Sequence, residues 1–157
     1  FSVDKPAVGV STLAAMARNV AFADGLVVCA MDARRNQVYN ANFAAESGVL
    51  TRLTPDRAIS LDDLVQELAG TQTPQLVVGD GAQLCYDALT AAGIPAVLAP
   101  PNLRMQSAWG VARQALALAQ AGQTLSPAQL VPVYHRLSQA ERERLEREQA
   151  AQTPHPQ

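Results

Sequence analysis

The sequence predicts an α/β domain whose mixed sheet carries helices on its faces. Residues 26–53 have the period-two pattern of three antiparallel strands, and the chain after them alternates between helical and extended segments. Consecutive strands followed by alternating helices and strands imply a sheet of mixed direction. The expected order is therefore β-β-β-α-β-α-β-α, and one strand and one helix precede it.

The composition is that of a folded protein with a weak overall charge. Of the 157 residues, 48% are hydrophobic and 17% are charged, and the net charge is −2. This balance disfavours independent binding to a phosphate backbone, because that binding needs a surplus of basic side chains. No apolar run approaches the ~20 residues that cross a bilayer, and no signal peptide is recognised, so we expect a soluble, cytoplasmic protein. Cys29 and Cys85 lie in apolar segments and are expected to be buried free thiols.

The first predicted elements are a short strand and a helix. Residues 7–10 form an apolar run typical of a buried strand, and Ser11 can cap a helix that begins at Thr12 and ends near Ala23. One helical stripe of apolar side chains follows, with i, i+3, i+4, i+7 spacing: Leu13, Met16, Ala17 and Val20. Two interpretations stay open: the stripe packs on the chain's own sheet, or part of the helix meets a partner protein.

Three strands are predicted next. Residues 26–31 are continuously apolar, as expected of a central strand that is covered on both faces. A turn at residues 35–37 leads into a strand over residues 38–45, in which apolar residues alternate with Asn40 and Asn42. A second turn at residues 46–48 leads to the third strand, residues 49–53.

The second half of the chain alternates between helices and strands. Ser60 and Asp63 resemble a capping box for a helix that continues to Ala69. Further elements are expected in chain order: a strand at 76–78, a helix at 82–92, a strand at 96–98 and a long helix at 104–121. We predict that the long helix buries one apolar face, formed by Met105, Ala108, Trp109, Ala112, Leu116 and Ala119. Residues 137–157 predict a charged helix and then a disordered tail.

The residue types that support catalysis are sparse. The two histidines, His135 and His155, belong to no cluster with metal-ligand spacing, and no GxSxG elbow is present. Acidic residues are scattered and form no recognisable acid–base pair. We therefore expect no catalytic residue, no metal and no cofactor.

Two polar segments are candidate contact sites. Gly79 and Gly81 lie in a VGDG turn between a strand and a helix, where backbone N–H groups can cradle an anion. A tight turn explains these glycines equally well. Asp32, Arg34 and Arg35 follow the first central strand, and guanidinium groups bind phosphate or carboxylate in bidentate fashion. A hairpin whose polar side chains are simply solvated is the alternative.

Four stretches together resemble the TsaB (YeaZ) family, in the order in which the family has them. They are VGVSTL at residues 8–13, MDARRNQVY at 31–39, VVGDG at 77–81 and PVYHR at 132–136. The resemblance runs over nearly the whole chain, and its most specific parts are the second and the fourth stretches. It implies an actin-like, ribonuclease-H-like (ASKHA) fold of two lobes.

The resemblance also implies a domain division. Residues 1–23 are then a remnant of the N-terminal lobe, residues 24–136 form the C-terminal lobe, and residues 137–157 form the tail. Most of the N-terminal lobe is expected to be missing. The strand and helix of the remnant should then expose apolar surface, so we expect either self-association or mobility of the first ~20 residues.

The function implied by the resemblance is that of a non-catalytic scaffold. Family members pair with the catalytic TsaD subunit, which transfers threonylcarbamoyl to the adenosine beside the anticodon of tRNA. A TsaE-like ATPase is a further implied partner, a homodimer is an alternative pairing, and tRNA is reached only through the complex. The implied partner-binding residues are Leu13, Met16, Ala17 and Val20. The alternative function is an enzyme of the same fold, either a nucleotide-dependent phosphotransferase or an M22-type glycoprotease.

Overall fold

A computed structural model describes residues 5–135 and residue 144 of the chain. Within this part, six strands form one mixed sheet with the order β3-β2-β1-β5-β6, and β4 also pairs with β2. The strands are β1 (Gly25–Arg34), β2 (Gln37–Glu46), β3 (Val49–Arg52), β4 (Arg57–Ser60), β5 (Gln75–Val78) and β6 (Ala96–Leu98). The helices are α1 (Thr12–Asn19), α2 (Leu61–Leu68), α3 (Ala82–Ala91), α4 (Pro101–Arg104) and α5 (Ala108–Gln120). The predicted mixed α/β fold is confirmed.

The central strand β1 joins the antiparallel and parallel halves of the sheet. It pairs antiparallel with β2 and parallel with β5. Its four middle residues, Val27 to Ala30, are fully buried, because helices cover both faces of the sheet at this point. This confirms the interpretation of residues 26–31 as a central strand.

The core has two halves, one on each face of the sheet. On one face α1 packs against Val27, Cys29 and Phe43, and on the other α2 and α3 pack against Val28, Val38 and Val77. Successive strand residues point to opposite faces, so β1 and β2 contribute to both halves.

The first elements differ from the prediction. The expected strand at residues 7–10 is wrong: Ala7 forms an isolated bridge with Leu125, and no strand is present over these residues. A strand needs a neighbouring strand with which its backbone groups form hydrogen bonds, and among residues 7–10 only Ala7 has such a partner. The helix capped by Ser11 ends at Asn19 rather than Ala23. It shares a core with β1 and β2, so the expectation that it exposes apolar surface is also wrong.

The helix expected at residues 104–121 begins later, at Ala108, and a separate short helix, α4, precedes it. Between α4 and α5 the chain extends, and Ser107 caps α5 by accepting a hydrogen bond from the Gly110 N–H at 3.0 Å. The predicted buried face is also wrong, because Trp109 and Leu116 are 58% and 50% exposed. The side that packs on α1 instead carries Gly110 and Gln114.

Strand β4 was missed by the sequence analysis, which placed no strand between the third strand and the helix capped by Ser60. Its four residues pair antiparallel with Gln37–Asn40 of β2, with Ile59 opposite Val38. Ser60 ends the strand and caps α2, as predicted, by accepting a hydrogen bond from the Asp63 N–H at 3.0 Å.

Several expectations concern residues that the structure does not describe. Residues 1–4 and the predicted charged helix and tail at residues 137–157, apart from Arg144, lie outside the described part of the chain. In the described part, no helix has the length and apolarity needed to cross a membrane.

Candidate functional site

The β1–β2 hairpin presents two arginines at the carboxyl end of β1. Three consecutive non-glycine residues of this turn have left-handed backbones, with φ of 63° at Arg34, 53° at Arg35 and 58° at Asn36. Such conformations are disfavoured for residues with a Cβ and persist where neighbouring contacts hold them. The Arg34 N–H donates to Asp32 Oδ1 at 2.6 Å, and the Leu61 N–H donates to Asn36 O at 3.0 Å. The turn is therefore fixed from both sides.

The VGDG turn lies directly against the end of β1. Gly79 has a φ of 110°, and a Cβ at this position would lie 1.9 Å from Ala30 O. A Cβ at Gly81 would lie 2.9 Å from Asp32 N. Both glycines are thus required by the close approach of two backbones.

The N–H groups of the two glycines are engaged inside the chain. The Gly79 N–H donates to Arg104 O at 2.8 Å, and the Gly81 N–H donates to Ala30 O at 3.1 Å. Neither is free to bind an anion, so the geometry favours the tight-turn interpretation over the anion cradle. Between the glycines, Asp80 Oδ1 accepts from the Asp32 N–H at 3.2 Å.

The structure therefore brings together all five residues that the sequence analysis selected here: Asp32, Arg34, Arg35, Gly79 and Gly81. Within residues 5–135, the guanidinium groups of the other arginines contact carboxylates, carbonyls or an aromatic ring; these are Arg18, Arg52, Arg57, Arg104 and Arg113. Arg34 and Arg35 are exposed and make no such contact with the described residues. Binding of an external phosphate or carboxylate by these two arginines stays a prediction.

The four helix residues selected as partner contacts lie in the interior. Leu13, Met16, Ala17 and Val20 are each at most 3% exposed and belong to the core half that contains β1 and β2. Of the two interpretations left open for this stripe, packing on the chain's own sheet describes the structure. Their role in partner binding stays a prediction. Because these side chains are buried, we expect any effect on pairing to pass through the shape of α1.

Sequence reasoning missed a polar cluster beneath β4. Asn40 is fully buried, and its Nδ2 donates to Cys29 O at 3.0 Å and to Asn42 Oδ1 at 3.0 Å. Its Oδ1 accepts from Arg57, whose Nη2 also donates to Glu67 at 2.7 Å. The sequence did contain a sign of this cluster: Asn40 and Asn42 stand at alternate positions of one strand. We interpreted them only as the polar face of that strand.

A second missed residue, Asn19, connects α1 to the segment between α4 and α5. Its Nδ2 donates to Leu103 O at 3.3 Å and to Met105 O at 2.7 Å, and its Oδ1 accepts from the Ser107 hydroxyl at 2.7 Å. These bonds use both N–H donors of the Asn19 amide and one lone pair of its oxygen, and they fix the start of α5.

Both cysteines are buried free thiols, as expected. Burial raises the pKa of the Cys85 thiol to about 12 and raises the pKa of Cys29 still further. Neither is a thiolate at neutral pH, so neither is poised as a nucleophile. Among the described residues, no group of three or more His, Cys, Asp or Glu side chains is placed to hold a metal ion.

Comparisons with known proteins agree with this architecture. A family model described as "TsaD: tRNA N6-adenosine threonylcarbamoyltransferase" matches residues 1–144. The chain is 31% identical over 145 residues to the tRNA threonylcarbamoyladenosine biosynthesis protein TsaB of Bacillus subtilis, a match that covers 90% of this chain and 60% of that protein.

Two solved structures share the fold. One is described as a protein with similarity to the peptidase YeaZ from Pseudomonas aeruginosa; it has a TM-score of 0.67 at 17% identity and is matched over 84% of this chain and 60% of its own. The other, YeaZ from Pseudomonas aeruginosa, has a TM-score of 0.65 at 18% identity, over 83% and 59%. The fold is accordingly the actin-like, ASKHA type.

The fold and the family match place this chain in the family of the tRNA N6-adenosine threonylcarbamoyltransferase model. Within it, the chain is a member of the TsaB (YeaZ) family. It spans about 60% of the length of the relatives that it matches.

Proposed function

We propose that the chain serves in tRNA threonylcarbamoyladenosine biosynthesis as a non-catalytic subunit that pairs with a TsaD-type catalytic subunit. The observation that carries the proposal is the 31% identity to a TsaB protein over 90% of this chain. In this proposal the transferred group is threonylcarbamoyl, the acceptor is the adenosine beside the anticodon, and tRNA is contacted only through the complex. A TsaE-type ATPase joins the same assembly in the cytoplasm.

The geometry at the carboxyl end of β1 supports a contact role. Arg34 and Arg35 project from a fixed turn, and the neighbouring Asp32 and Asp80 carboxylates already accept backbone N–H groups. Guanidinium groups carried on a fixed turn offer bidentate recognition of a carboxylate on another subunit at a low cost in backbone ordering. The residues that build this proposed contact are Asp32, Arg34, Arg35, Gly79 and Gly81.

The engaged backbone of the VGDG turn weighs against the alternative of a phosphotransferase. A nucleotide site on this turn would draw on backbone N–H groups, and those of Gly79 and Gly81 already serve Arg104 O and Ala30 O. The cysteine thiols, neutral and buried, likewise offer no nucleophile to a glycoprotease.

The test uses the whole protein that contains this chain, expressed in cells depleted of their own TsaB. We expect the protein to restore threonylcarbamoyladenosine in total tRNA, measured by mass spectrometry of nucleosides, and to co-purify with the TsaD-type subunit. The double variant Arg34→Glu/Arg35→Glu should lower both readouts, whereas Lys5→Glu, a matched change of an exposed cation, should not. No restoration and no co-purification by the unaltered protein would contradict the proposal.

A further inference from the structure

The outer face of α5 is apolar and exposed. Its side chains recur at i, i+3, i+7 and i+10: Trp109, Ala112, Leu116 and Ala119. We call these four residues the α5 outer face. Trp109 and Leu116 are at least half exposed, although this face has the pattern that normally packs on a core. An exposed contiguous apolar surface of this kind is typical of an interaction site.

The α5 outer face cannot turn inward, because the opposite side of the helix is held against α1. A Cβ on Gly110 would lie 2.3 Å from Ala15 O, so the two backbones are as close as a glycine permits. Arg18 Nε donates to Gln114 Oε1 at 2.8 Å further along the same contact. The contact with α1 therefore keeps Trp109 on the outer side of α5 in the described part of the chain.

The shape of the surface suits a helix with a large anchor side chain. Trp109 and Leu116 project as ridges, and Ala112 between them leaves a groove of the kind into which side chains of a second helix pack. At the start of α5 lies a cavity of about 380 Å³, lined by Asn19, Asn102, Leu103, Ser107 and Trp109. A volume of this size accepts one bulky side chain.

The charge beside this face is positive, although the whole chain has a net charge of −2. Residues 5–23 and 88–135 contain no Asp or Glu, whereas they contain Arg18, Arg104 and Arg113. Arg113 lies over the Trp109 ring at 5.8 Å. The pKa of Arg18 is lowered first by burial and second by the positive charge of Arg113, which shows that the two cations act on each other.

We propose that the α5 outer face binds an amphipathic α-helix of a partner protein whose flanks carry acidic side chains. The apolar stripe would bury the apolar face of the incoming helix, and Arg113, whose guanidinium lies over the exposed Trp109 ring, would meet its carboxylates. A phosphate backbone has no apolar surface with which to bury Ala112, Leu116 and Ala119. The apolar stripe therefore favours a protein partner over a nucleic acid. This inference does not depend on the proposed function.

Trp109 is the single tryptophan of the chain, so its fluorescence reports directly on the α5 outer face. The probes are two synthetic amphipathic helices with the same leucine face, one flanked by Glu and the other by Lys. We expect the Glu-flanked helix to shift Trp109 emission to shorter wavelength and to bind about tenfold or more tighter than the Lys-flanked helix at low salt. The difference should shrink as the ionic strength rises, because exposed charges are screened.

Three variants separate the contributions. Leu116→Glu should abolish the shift, whereas Leu84→Glu, on α3 and 43% exposed, should leave it unchanged. Arg113→Gln should retain binding and reduce the preference for the Glu-flanked helix. Circular dichroism and the urea midpoint of each variant check that the fold is intact, and Leu116→Ser provides a milder change of the same residue.

Several results would overturn the proposal. Unchanged Trp109 emission with both helices excludes the surface, and equal affinities at low salt exclude the acidic specificity. A concentration-dependent dimer that shields Trp109 from acrylamide would assign the face to a second copy. Shielding that disappears when residues 137–157 are removed would assign it to the chain's own C-terminal segment. Displacement of the Glu-flanked helix by an anticodon stem-loop RNA would assign it to tRNA.

Discussion

At the scale of single residues, a comparison of two glycines distinguishes the cost of backbone strain from the cost of a steric clash. Gly79 and Gly48 both have positive φ, but a Cβ on Gly79 would lie 1.9 Å from Ala30 O, whereas a Cβ on Gly48 would meet nothing within 4 Å. Gly48→Ala should cost about 1 kcal/mol of unfolding free energy from backbone strain alone. Gly79→Ala should cost at least about 3 kcal/mol, since β1 and the VGDG turn must also separate.

Urea unfolding of the two variants measures this difference. Equal losses for Gly79→Ala and Gly48→Ala would show that the VGDG turn does not need its close approach to β1.

The thiols give a pH-dependent prediction at the same scale. Burial raises the pKa of Cys85 to about 12, against about 8.5 in an unfolded chain. The native state therefore holds this proton at pH values where the unfolded state has lost it. Stability from this source is complete below about pH 8.5 and declines as the pH rises toward 12. We expect no alkylation of either cysteine by iodoacetamide at pH 8 until urea unfolds the chain, and rapid labelling of the native protein would contradict the buried positions.

At the scale of secondary-structure elements, the close approach of α1 and α5 at Gly110 gives a prediction of stability. A glycine-to-alanine change inside a helix normally gains about 1 kcal/mol. Gly110→Ala should instead lose about 2 kcal/mol, because its Cβ would clash with Ala15 O and overpack the contact. Calorimetry measures the sign: a higher melting temperature for Gly110→Ala would refute the close approach of the two helices. Ala112→Gly, on the exposed side of α5, is the control and should lose about 1 kcal/mol from helix propensity alone.

The same helix shows where sequence reasoning fails at this scale. The periodicity of residues 105–119 identified an apolar face of the helix. It does not determine whether that face is buried within the chain, and the prediction that it is buried was wrong. Gly110 decided the matter, since the absence of a side chain on the opposite face let α1 approach there. Strand β4 was missed for a related reason: Arg57 and Ser60 read as polar, and the partner that makes them a strand lies about 20 residues away in β2.

At the scale of the whole molecule, the sheet could be predicted because each central strand carries its own local signal. Val27 to Ala30 are apolar without interruption, and Gly48 supplies the positive φ that the turn before β3 requires. The site was predictable in its members, because Asp32, Arg34 and Arg35 follow β1 directly and the VGDG turn follows its parallel neighbour. The use of the two glycine N–H groups was not predictable, since Arg104 and Ala30 accept them through tertiary contact.

We have proposed that this chain acts by contact with a TsaD-type subunit and not by a reaction centre of its own. The measurement that tests it most directly is a titration of the TsaD-type subunit with the whole protein that contains this chain, carrying Arg34→Gln/Arg35→Gln. Threonylcarbamoyl transfer to tRNA is followed as the concentration of the variant rises. We predict that the concentration for half-maximal activity increases about tenfold or more, while the rate at saturation equals that of the unaltered protein. A reduced rate at saturation, with the half-maximal concentration unchanged, would contradict the account.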